Sequence, residues 1–182
     1  MDRSTALDLL RSHVRTKNLV KHCLACEALL GALARRLGEE EETWRTAGLL
    51  HDVDYDETVN SPETHGLTGA RTLEEQGIAQ DIVHAVRAHA GKASLESLLD
   101  KALWCADPLT GLIVAAALIR SEKKLSAIDA QFVLNRMKEK SFARGVNRDQ
   151  IKACEAELGL PLAEFVDIGV KAMQEISDEL GL

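Results

Sequence analysis

The sequence has 182 residues, and its 22 Lys and Arg residues against 29 Asp and Glu residues give a formal net charge of −7 at neutral pH. With 46% apolar and 28% charged residues, it has the composition of a globular protein with a core, which excludes a disordered or fibrous chain. The acidic balance disfavours general nucleic-acid binding, and the longest strictly apolar run, Leu112–Ile119, is far shorter than the ~20 residues of a membrane span, so we expect no membrane association.

The chain begins with the polar sequence Met1–Thr5, which lacks the apolar stretch of a secretory signal and predicts a cytoplasmic protein. Few prolines and abundant Ala, Leu, Glu and Arg favour helix nearly everywhere, so we predict an all-α fold. Gly38 ends the first long helix, because glycine readily takes the left-handed conformation of a helix C-terminus. The apolar residues of this helix recur at steps of three and four and form one stripe: Leu19, Cys23, Cys26, Leu30, Leu33 and Leu37.

Three further helices follow in the first half of the chain. A second helix over Glu41–Leu50 leads into the polar sequence His51–Asp56. Ser61–Thr64 then reads as an N-cap with proline in the first turn, which opens a helix that stops near Gly77. Another helix is predicted over Ala79–Ala90.

The next predicted elements surround a proline. Ser94 is the expected cap of a helix that continues through Trp104. Asp107 precedes Pro108, and the proline ring disfavours helical geometry at the residue before it, which predicts a junction. Leu109–Ile119 is apolar on every side and is therefore expected at the centre of the core.

The C-terminal part reads as a helical extension. We predict a core over residues 1–125 and an extension over residues 126–182 that packs on it. Residues typical of helix ends divide the extension: Asn147 with Gln150 as a cap and its partner, Gly159 as a stop and Pro161 at the start of the last helix.

The four cysteines, Cys23, Cys26, Cys105 and Cys154, favour a structural interpretation. Cys23 and Cys26 have C-x-x-C spacing, but they lie within a helical pattern and no second pair completes a tetrahedral zinc site. We therefore predict buried, reduced thiols rather than a zinc or redox pair.

Histidines and aspartates carry the functional signal. The adjacent pair His51-Asp52 follows His22 by 29 residues and precedes Asp107 by 55 residues. Imidazole and carboxylate groups bind first-row divalent metals without thiolate, and the four residues together favour a metal site over separate capping and hydrogen-bonding roles. The remaining histidines are His13, His65, His84 and His89, of which His13 and His84 are expected to be surface or hydrogen-bonded polar residues.

The order of these residues resembles the signature of the HD-domain superfamily of metal-dependent phosphohydrolases over about residues 15–120. It reads as His22, then Leu49-Leu50-His51-Asp52, then Asp107. Within that superfamily the chain most resembles the HDIG-type predicted hydrolases, through five stretches: Gly48–Tyr55, Pro62–Gly66, Lys101–Asp107, Leu109–Ile113 and Lys140–Val146.

The resemblance implies a helical bundle and a divalent metal centre of one or two ions, with Mn, Fe, Zn, Ni, Co or Mg as the candidate metals. One ion would be held by four residues: His22, His51, Asp52 and Asp107. His65 and His89 match positions that hold a second ion, with Asp52 as the bridge, although either histidine can instead contact substrate or transfer a proton.

One departure concerns the binding of phosphate. Superfamily members with a lysine after the His-Asp pair use it on phosphate, whereas this chain has Val53-Asp54-Tyr55 there. Asp54 either orients a ligating histidine or transfers a proton, and we favour the first role. Residues 120–152 carry nine basic and four acidic residues, a net charge of +5, so we predict phosphate contacts from Lys140 and Arg144.

The leading functional prediction is a phosphohydrolase that acts on a small phosphoester such as a nucleotide through metal-activated water, with catalytic roles for Asp52, Asp54, His65 and His89. One alternative is a metal-stabilised module that binds a nucleotide or regulates a partner without turnover. Another is a hydrolase or oxygenase acting on a substrate other than phosphate. Trp44 and Trp104 are expected in the core, Tyr55 fits either the core or the site, and the sequence is compatible with a homo-oligomer.

Overall fold

The computed structural model describes residues 1–182, and its regular elements are twelve α-helices and one short 3₁₀ helix, without strands. The prediction of an all-α fold is confirmed. The α-helices are α1 (Arg3–His13), α2 (Lys17–Leu37), α3 (Glu41–Leu50), α4 (Tyr55–Thr58), α5 (Leu67–Glu75), α6 (Gln80–His89), α7 (Leu98–Leu118), α8 (Ala130–Met137), α9 (Arg148–Lys152), α10 (Cys154–Leu158), α11 (Leu162–Glu175) and α12 (Ser177–Leu180).

Helix α2 lies along α3 and also contacts α7 and α11, which places it at the centre of the bundle. Its predicted apolar stripe faces that centre, since Cys23, Cys26, Leu30 and Leu33 are fully buried. Gly38 ends α2 with a φ of 79°, in the left-handed region, as predicted.

Helix α5 starts later than the sequence predicts. Ser61 is not its N-cap; the helix begins at Leu67, after a series of turns. The reason is a pair of hydrogen bonds to a residue outside the segment: the Asp54 carboxylate accepts from the backbone N–H groups of Gly66 at 2.9 Å and Gly69 at 2.7 Å. This contact satisfies amide groups at the start of α5 and fixes where the helix begins.

The cap of α7 also differs from the prediction. Ser97, not Ser94, caps the helix: its side chain accepts from the Asp100 backbone N–H, and the Asp100 carboxylate accepts from the Ser97 backbone N–H. This reciprocal pair satisfies two amide groups at the helix start, whereas Ser94 donates to Glu96 in the preceding loop.

The predicted junction at Pro108 is wrong, because α7 continues through it as one helix of 21 residues. Proline has no N–H, so it leaves the carbonyl of Trp104 without its usual helical donor. The side chain of Gln150 donates to that carbonyl over 3.3 Å. Asn147 caps α9 as predicted and accepts from the backbone N–H of Gln150, but the side chain of Gln150 bonds to α7 instead of returning to the cap.

Helix α7 is the central helix of the core. Leu109, Leu112 and Ile113 are fully buried, which confirms the prediction for this segment, although its end at Leu118 is exposed. By length and composition α7 could cross a membrane, with a mean hydropathy of 1.4, contrary to the expectation from apolar run length. However, 56% of that window is buried within the bundle, as expected for the core helix of a soluble protein.

Residues of the C-terminal extension share the hydrophobic core with the rest of the chain. Ile151, Phe165 and Met173 belong to the same cluster of 45 buried residues as the central residues of α2 and α7. Gly159 ends α10 in the left-handed conformation, and Pro161 precedes α11, as predicted. The boundary between residues 1–125 and 126–182 stays a prediction, because both parts contribute to one core.

All four cysteines are buried and none forms a disulfide, in agreement with the predicted thiols. Burial raises the pKa of Cys105 to about 12, so this group stays protonated at neutral pH. Trp44 is buried, as predicted, whereas Trp104 is half-buried and packs on the edge of the core.

Candidate metal centre

The site forms where α2 and α3 approach closely. A Cβ atom at Gly48 would lie 2.6 Å from the carbonyl oxygen of Cys26, so only glycine fits at this crossing. His22 lies one turn before Cys26 on α2, and His51 follows Gly48 at the end of α3. The close approach brings the Nε2 atoms of His22 and His51 to 3.1 Å from each other.

The four residues predicted to hold one ion converge on a single point. His22 Nε2 lies 3.1 Å from Asp107 Oδ1 and 3.6 Å from Asp52 Oδ2. His51 Nε2 lies 3.4 Å from the same Oδ2 atom of Asp52. Residues from α2, the end of α3 and the middle of α7 therefore meet although they are far apart in sequence.

His65 and His89 face the other oxygen of Asp52. The Nε2 atoms of both histidines lie 3.4 Å from Asp52 Oδ1. Asp52 thus stands between two sets of donors, with Oδ2 toward one set and Oδ1 toward the other. This arrangement matches the bridging position that the sequence resemblance implies.

Two of the ring orientations are fixed by backbone carbonyls three residues earlier. Nδ1 of His51 donates to Gly48 O over 2.8 Å, and Nδ1 of His89 donates to Val86 O over 2.6 Å. A proton on Nδ1 leaves the lone pair on Nε2, the atom that faces the centre.

Thr110 fixes the ring of His22. Its hydroxyl donates to the carbonyl of Asp107 over 2.9 Å and accepts from His22 Nδ1 over 3.0 Å. The sequence interpretation did not include Thr110. Its position one helical turn after Asp107 is the signal that could have identified it, since residues three apart share a helix face.

Asp54 fixes the ring of His65. Its Oδ1 atom lies 3.0 Å from His65 Nδ1, while its other oxygen accepts the two amide hydrogen bonds at the start of α5. Against the effect of burial, His65 and these amides lower the pKa of Asp54. The geometry favours the orienting role for Asp54, whose tip lies on the far side of the His65 ring from Asp52.

The donor set fits a cation. The assigned hydrogen bonds use the Nδ1 protons of all four histidines, so four Nε2 lone pairs and the carboxylates of Asp52 and Asp107 face one another. Nε2 of His89 is buried and has no hydrogen-bond partner. Buried acceptors without donors are unfavourable, and a metal ion is the group that satisfies imidazole and carboxylate acceptors together.

The shifts in the pKa values of the histidines and aspartates also indicate that this cluster favours a positive charge. Burial alone would lower the pKa of His51, but the Asp52 carboxylate beside it raises that pKa to about 10. Burial would conversely raise the pKa of Asp52, yet His51 and His89 hold it well below its usual value. At half-buried Asp107 the loss of solvent again raises the pKa, but the hydrogen bond from His22 outweighs it and lowers the pKa.

The centre opens to solvent through a pocket of 380 Å³. Tyr55, which is 43% exposed, stands at its mouth with its ring edge-on to His65 at a centroid distance of 5.5 Å. The pocket is lined by Asn18, Leu19, His22, Asp52, Tyr55, His65 and Asp107. Cys26 is a further neighbour that the sequence interpretation treated only as core, with its Sγ atom 3.9 Å from His22 Nε2.

Lys140 and Arg144, the predicted phosphate contacts, are exposed and do not line this pocket. Their segment folds back on Arg148, whose guanidinium donates to five backbone carbonyls, those of Met137, Glu139, Phe142, Ala143 and Val146. The structure therefore gives no support to their predicted contact with substrate. His13 is exposed and His84 pairs with Asp100 over 3.0 Å, so both lie outside the centre, as expected.

Comparisons with known proteins agree with this geometry. A family model for the HD domain matches residues 19–140, about two thirds of the chain. The chain is 34% identical over 98 residues to Ribonuclease Y of Oleidesulfovibrio alaskensis, which covers 53% of this chain and 18% of that protein. It is 29% identical over 139 residues to Ribonuclease Y of Desulfotalea psychrophila, which covers 73% of this chain and 26% of that protein. The alignments thus cover only about a fifth to a quarter of these relatives.

Proposed function

Because the chain belongs to the HD-domain family, we propose that it is a metal-dependent phosphohydrolase that cleaves a nucleotide phosphoester in the cytoplasm. One observation carries the proposal: Asp52 directs its two carboxylate oxygens toward two sets of imidazoles, whose Nε2 atoms lie 3.4 to 3.6 Å from those oxygens. A divalent ion bound there lowers the pKa of water toward neutrality and offsets negative charge on phosphoryl oxygens.

The residues that would bind metal form two sets, one on each side of Asp52. His22, His51 and Asp107 are the donors on one side of Asp52, while His65 and His89 are the donors on the other. His65 and His22 both line the pocket, with 20% and 23% of their side chains exposed, so substrate can reach both rings. With a single ion bound on the His22 side, His65 is free to transfer a proton to the leaving oxygen instead of holding a second ion.

The choice of a nucleotide is supported by the relatives, which carry the name Ribonuclease Y. The alignments cover only about a fifth to a quarter of these relatives, so their activity is applied to this chain only as part of the proposal. The HDIG-type assignment and the self-association considered from the sequence stay predictions.

A second candidate function has one observation in its favour. The pocket contains no Lys or Arg side chain. The residues after the His-Asp pair are Val53-Asp54-Tyr55, where some superfamily members have a lysine that contacts phosphate. A module that binds a nucleotide without turnover needs the metal but not a cation that assists cleavage. The two candidates differ in whether product forms.

Metal analysis followed by a substrate panel tests the proposal. Freshly purified protein is analysed for bound transition metals and then assayed with that metal on bis(p-nitrophenyl) phosphate and on nucleotides. We expect metal-dependent release of product that Asp52→Ala abolishes. Full activity and metal content in Asp52→Ala would contradict the proposal, and thermal stabilisation by nucleotides without product would favour the binding module.

A further inference from the structure

A basic groove runs beside the metal centre on the first two helices. Between Arg11 and Lys21 the sequence contains four basic residues and no acidic residue, in a chain whose overall charge is −7. In the fold these four residues line one groove of 530 Å³ at the junction of α1 and α2: Arg11, Arg15, Lys17 and Lys21.

These cations are available to a ligand. None of the four has an acidic group within 4.0 Å, and three of them are exposed, with Lys21 half-buried. Glu179, the acidic residue in the groove, forms an ion pair with Arg3. By contrast, the arginines of residues 120–152 are partly engaged: Arg120 and Arg136 stack on Phe132.

A cavity lies between this groove and the centre. It has a volume of 450 Å³, lies between α2, α7 and the C-terminal residues, and is lined mainly by small and apolar groups, among them Ala25, Gly111 and Val114. Lys21 lines both the cavity and the groove, and His22 lines both the cavity and the metal pocket.

Helix α2 therefore presents two adjacent rows of side chains. Asn18, His22 and Ala25 lie along the cavity, and Lys17 and Lys21 lie along the groove, each row at the spacing that places residues on one helix face. A ligand that passes from the centre around α2 meets first the metal ligand His22, then a mostly apolar cavity, then a row of cations. This order matches a nucleotide chain, in which phosphate, nucleoside and phosphate alternate.

We infer that the substrate is a phosphodiester-linked nucleotide chain: the nucleoside beside the scissile phosphate occupies the cavity, and Lys21, Lys17, Arg15 and Arg11 bind the next phosphates. The inference rests on the proposed function, since the scissile phosphate is placed at the metal centre. The volume of the cavity is within the range of small-ligand pockets. Lys21 lines the cavity and the groove but not the metal pocket, so its charge is placed for the phosphate next to the scissile one.

Binding of a labelled oligonucleotide tests the inference. The affinity of metal-loaded protein for a 5′-fluorescein octaribonucleotide and for the DNA octamer of the same sequence is measured by fluorescence anisotropy over a range of salt concentrations. The variant R11Q/R15Q/K17Q removes three charges from the groove, and the matched control K138Q/K140Q/R144Q removes three charges from the C-terminal extension. All six side chains are exposed, so folding is expected to survive.

We expect the groove variant to bind at least about tenfold more weakly and to reduce the slope of log K against log salt by about 2, because each contact to a single strand contributes about 0.7. We expect the control variant to bind like the wild type. Equal losses in both variants, or an octamer that binds no more tightly than a nucleoside monophosphate, would overturn the inference. The RNA and DNA octamers show whether the 2′-hydroxyl contributes.

Hydrolysis of bis(p-nitrophenyl) phosphate separates this inference from the proposed function. This substrate has one phosphate and does not reach the groove, so its metal-dependent turnover by the wild type reports on the centre alone. If the protein hydrolyses this substrate but does not bind the octamer, the inference of a nucleotide-chain substrate is wrong and the proposed phosphohydrolase activity is supported. If the protein binds the octamer but shows no metal-dependent turnover, the proposed phosphohydrolase activity is wrong instead.

Discussion

Gly48 lies so close to the backbone of Cys26 that a Cβ atom at position 48 would come within 2.6 Å of the Cys26 carbonyl oxygen. The contact joins α2 to α3 one turn from each of the two histidines that those helices bring to the centre. The spacing of the helices and the spacing of the metal donors are therefore set by the same residue.

The first prediction concerns this contact. Gly48→Ala is expected to destabilise the protein by about 1–3 kcal/mol, because backbone atoms must move apart to admit the methyl group. It should also weaken metal binding, since His22 and His51 separate with the helices. Thermal unfolding and metal titration measure the two effects.

Gly111→Ala is the matched control for that substitution. A Cβ atom at Gly111 would find Val146 at 3.9 Å, an ordinary contact, so this variant should be unchanged or more stable by about 0.5–1 kcal/mol from helix propensity. Similar losses of stability in both variants would show that the close approach at Gly48 is not the cause.

The second prediction concerns the stoichiometry of the metal. Since Asp52 faces both sets of donors, Asp52→Ala should bind no metal, whereas His89→Ala should retain the ion held by His22, His51 and Asp107. Elemental analysis after dialysis is expected to give two ions per chain for the wild type and one for His89→Ala. The exposed His13 provides the control, and a loss of metal in His13→Ala would show that the effect is not specific to the centre.

The third prediction separates the two roles considered for Asp54. If Asp54 orients His65, Asp54→Asn should weaken binding of the second ion by about 10–100-fold, and added metal should restore much of the activity. If Asp54 instead transfers a proton, kcat should fall while metal affinity stays constant, and added metal should restore nothing. A metal titration of activity distinguishes the outcomes, and we expect the first.

The fourth prediction concerns pH. The pKa of His51 is raised to about 10, so in metal-free protein its protonated ring stabilises the fold below the unfolded value of 6.5, and this contribution is lost as the pH rises toward 10. A metal must displace that proton, so binding should release protons and strengthen between pH 6 and 9. The increase in Tm caused by added metal should therefore be larger at pH 9 than at pH 6. An increase that is independent of pH would contradict the assignment.

The fifth prediction concerns the continuity of α7. Gln150→Ala leaves the Trp104 carbonyl without a donor and should destabilise the protein by about 1 kcal/mol. In a Pro108→Ala background the backbone N–H returns to position 108, so the same substitution should cost less. A double-mutant cycle on thermal or urea unfolding measures this coupling, and an equal cost in both backgrounds would show that Gln150 does not compensate for the proline.

The candidate metal centre could be predicted from the sequence because metal chemistry restricts the types of ligand. Few side chains bind a divalent ion without thiolate, so the order of His22, His51-Asp52 and Asp107 carried more information than any of them alone. Their common orientation was not predictable, because it depends on partners such as Thr110 that the sequence does not distinguish from ordinary helix residues.

The errors in helix boundaries share a physical cause. Local rules placed a helix start at Ser61 and a break at Pro108, but a tertiary hydrogen bond changed each outcome. Asp54 holds the amide groups at the start of α5, and Gln150, 46 residues from Trp104, replaces the bond that proline removes. Such partners cannot be identified from the residues next to the boundary.

The basic groove has a signal in the sequence, because Arg11–Lys21 contains four basic residues and no acidic residue. Residues 120–152 carry the larger net charge, and only the fold shows that Arg11–Lys21 lines a groove near the centre. Net charge likewise disfavoured nucleic acid for the chain as a whole, although a ligand responds to the potential where it binds.

Because both sets of donors share the Asp52 carboxylate, the affinities for the two metal ions are coupled. A cation against one oxygen of Asp52 draws electron density away from the other oxygen, so the next ion meets a weaker donor. The side with two carboxylates should fill at lower metal concentration than the side that relies on His65 and His89. Intermediate concentrations should then populate a singly loaded protein, and sequential addition of two different metals should give a mixed centre.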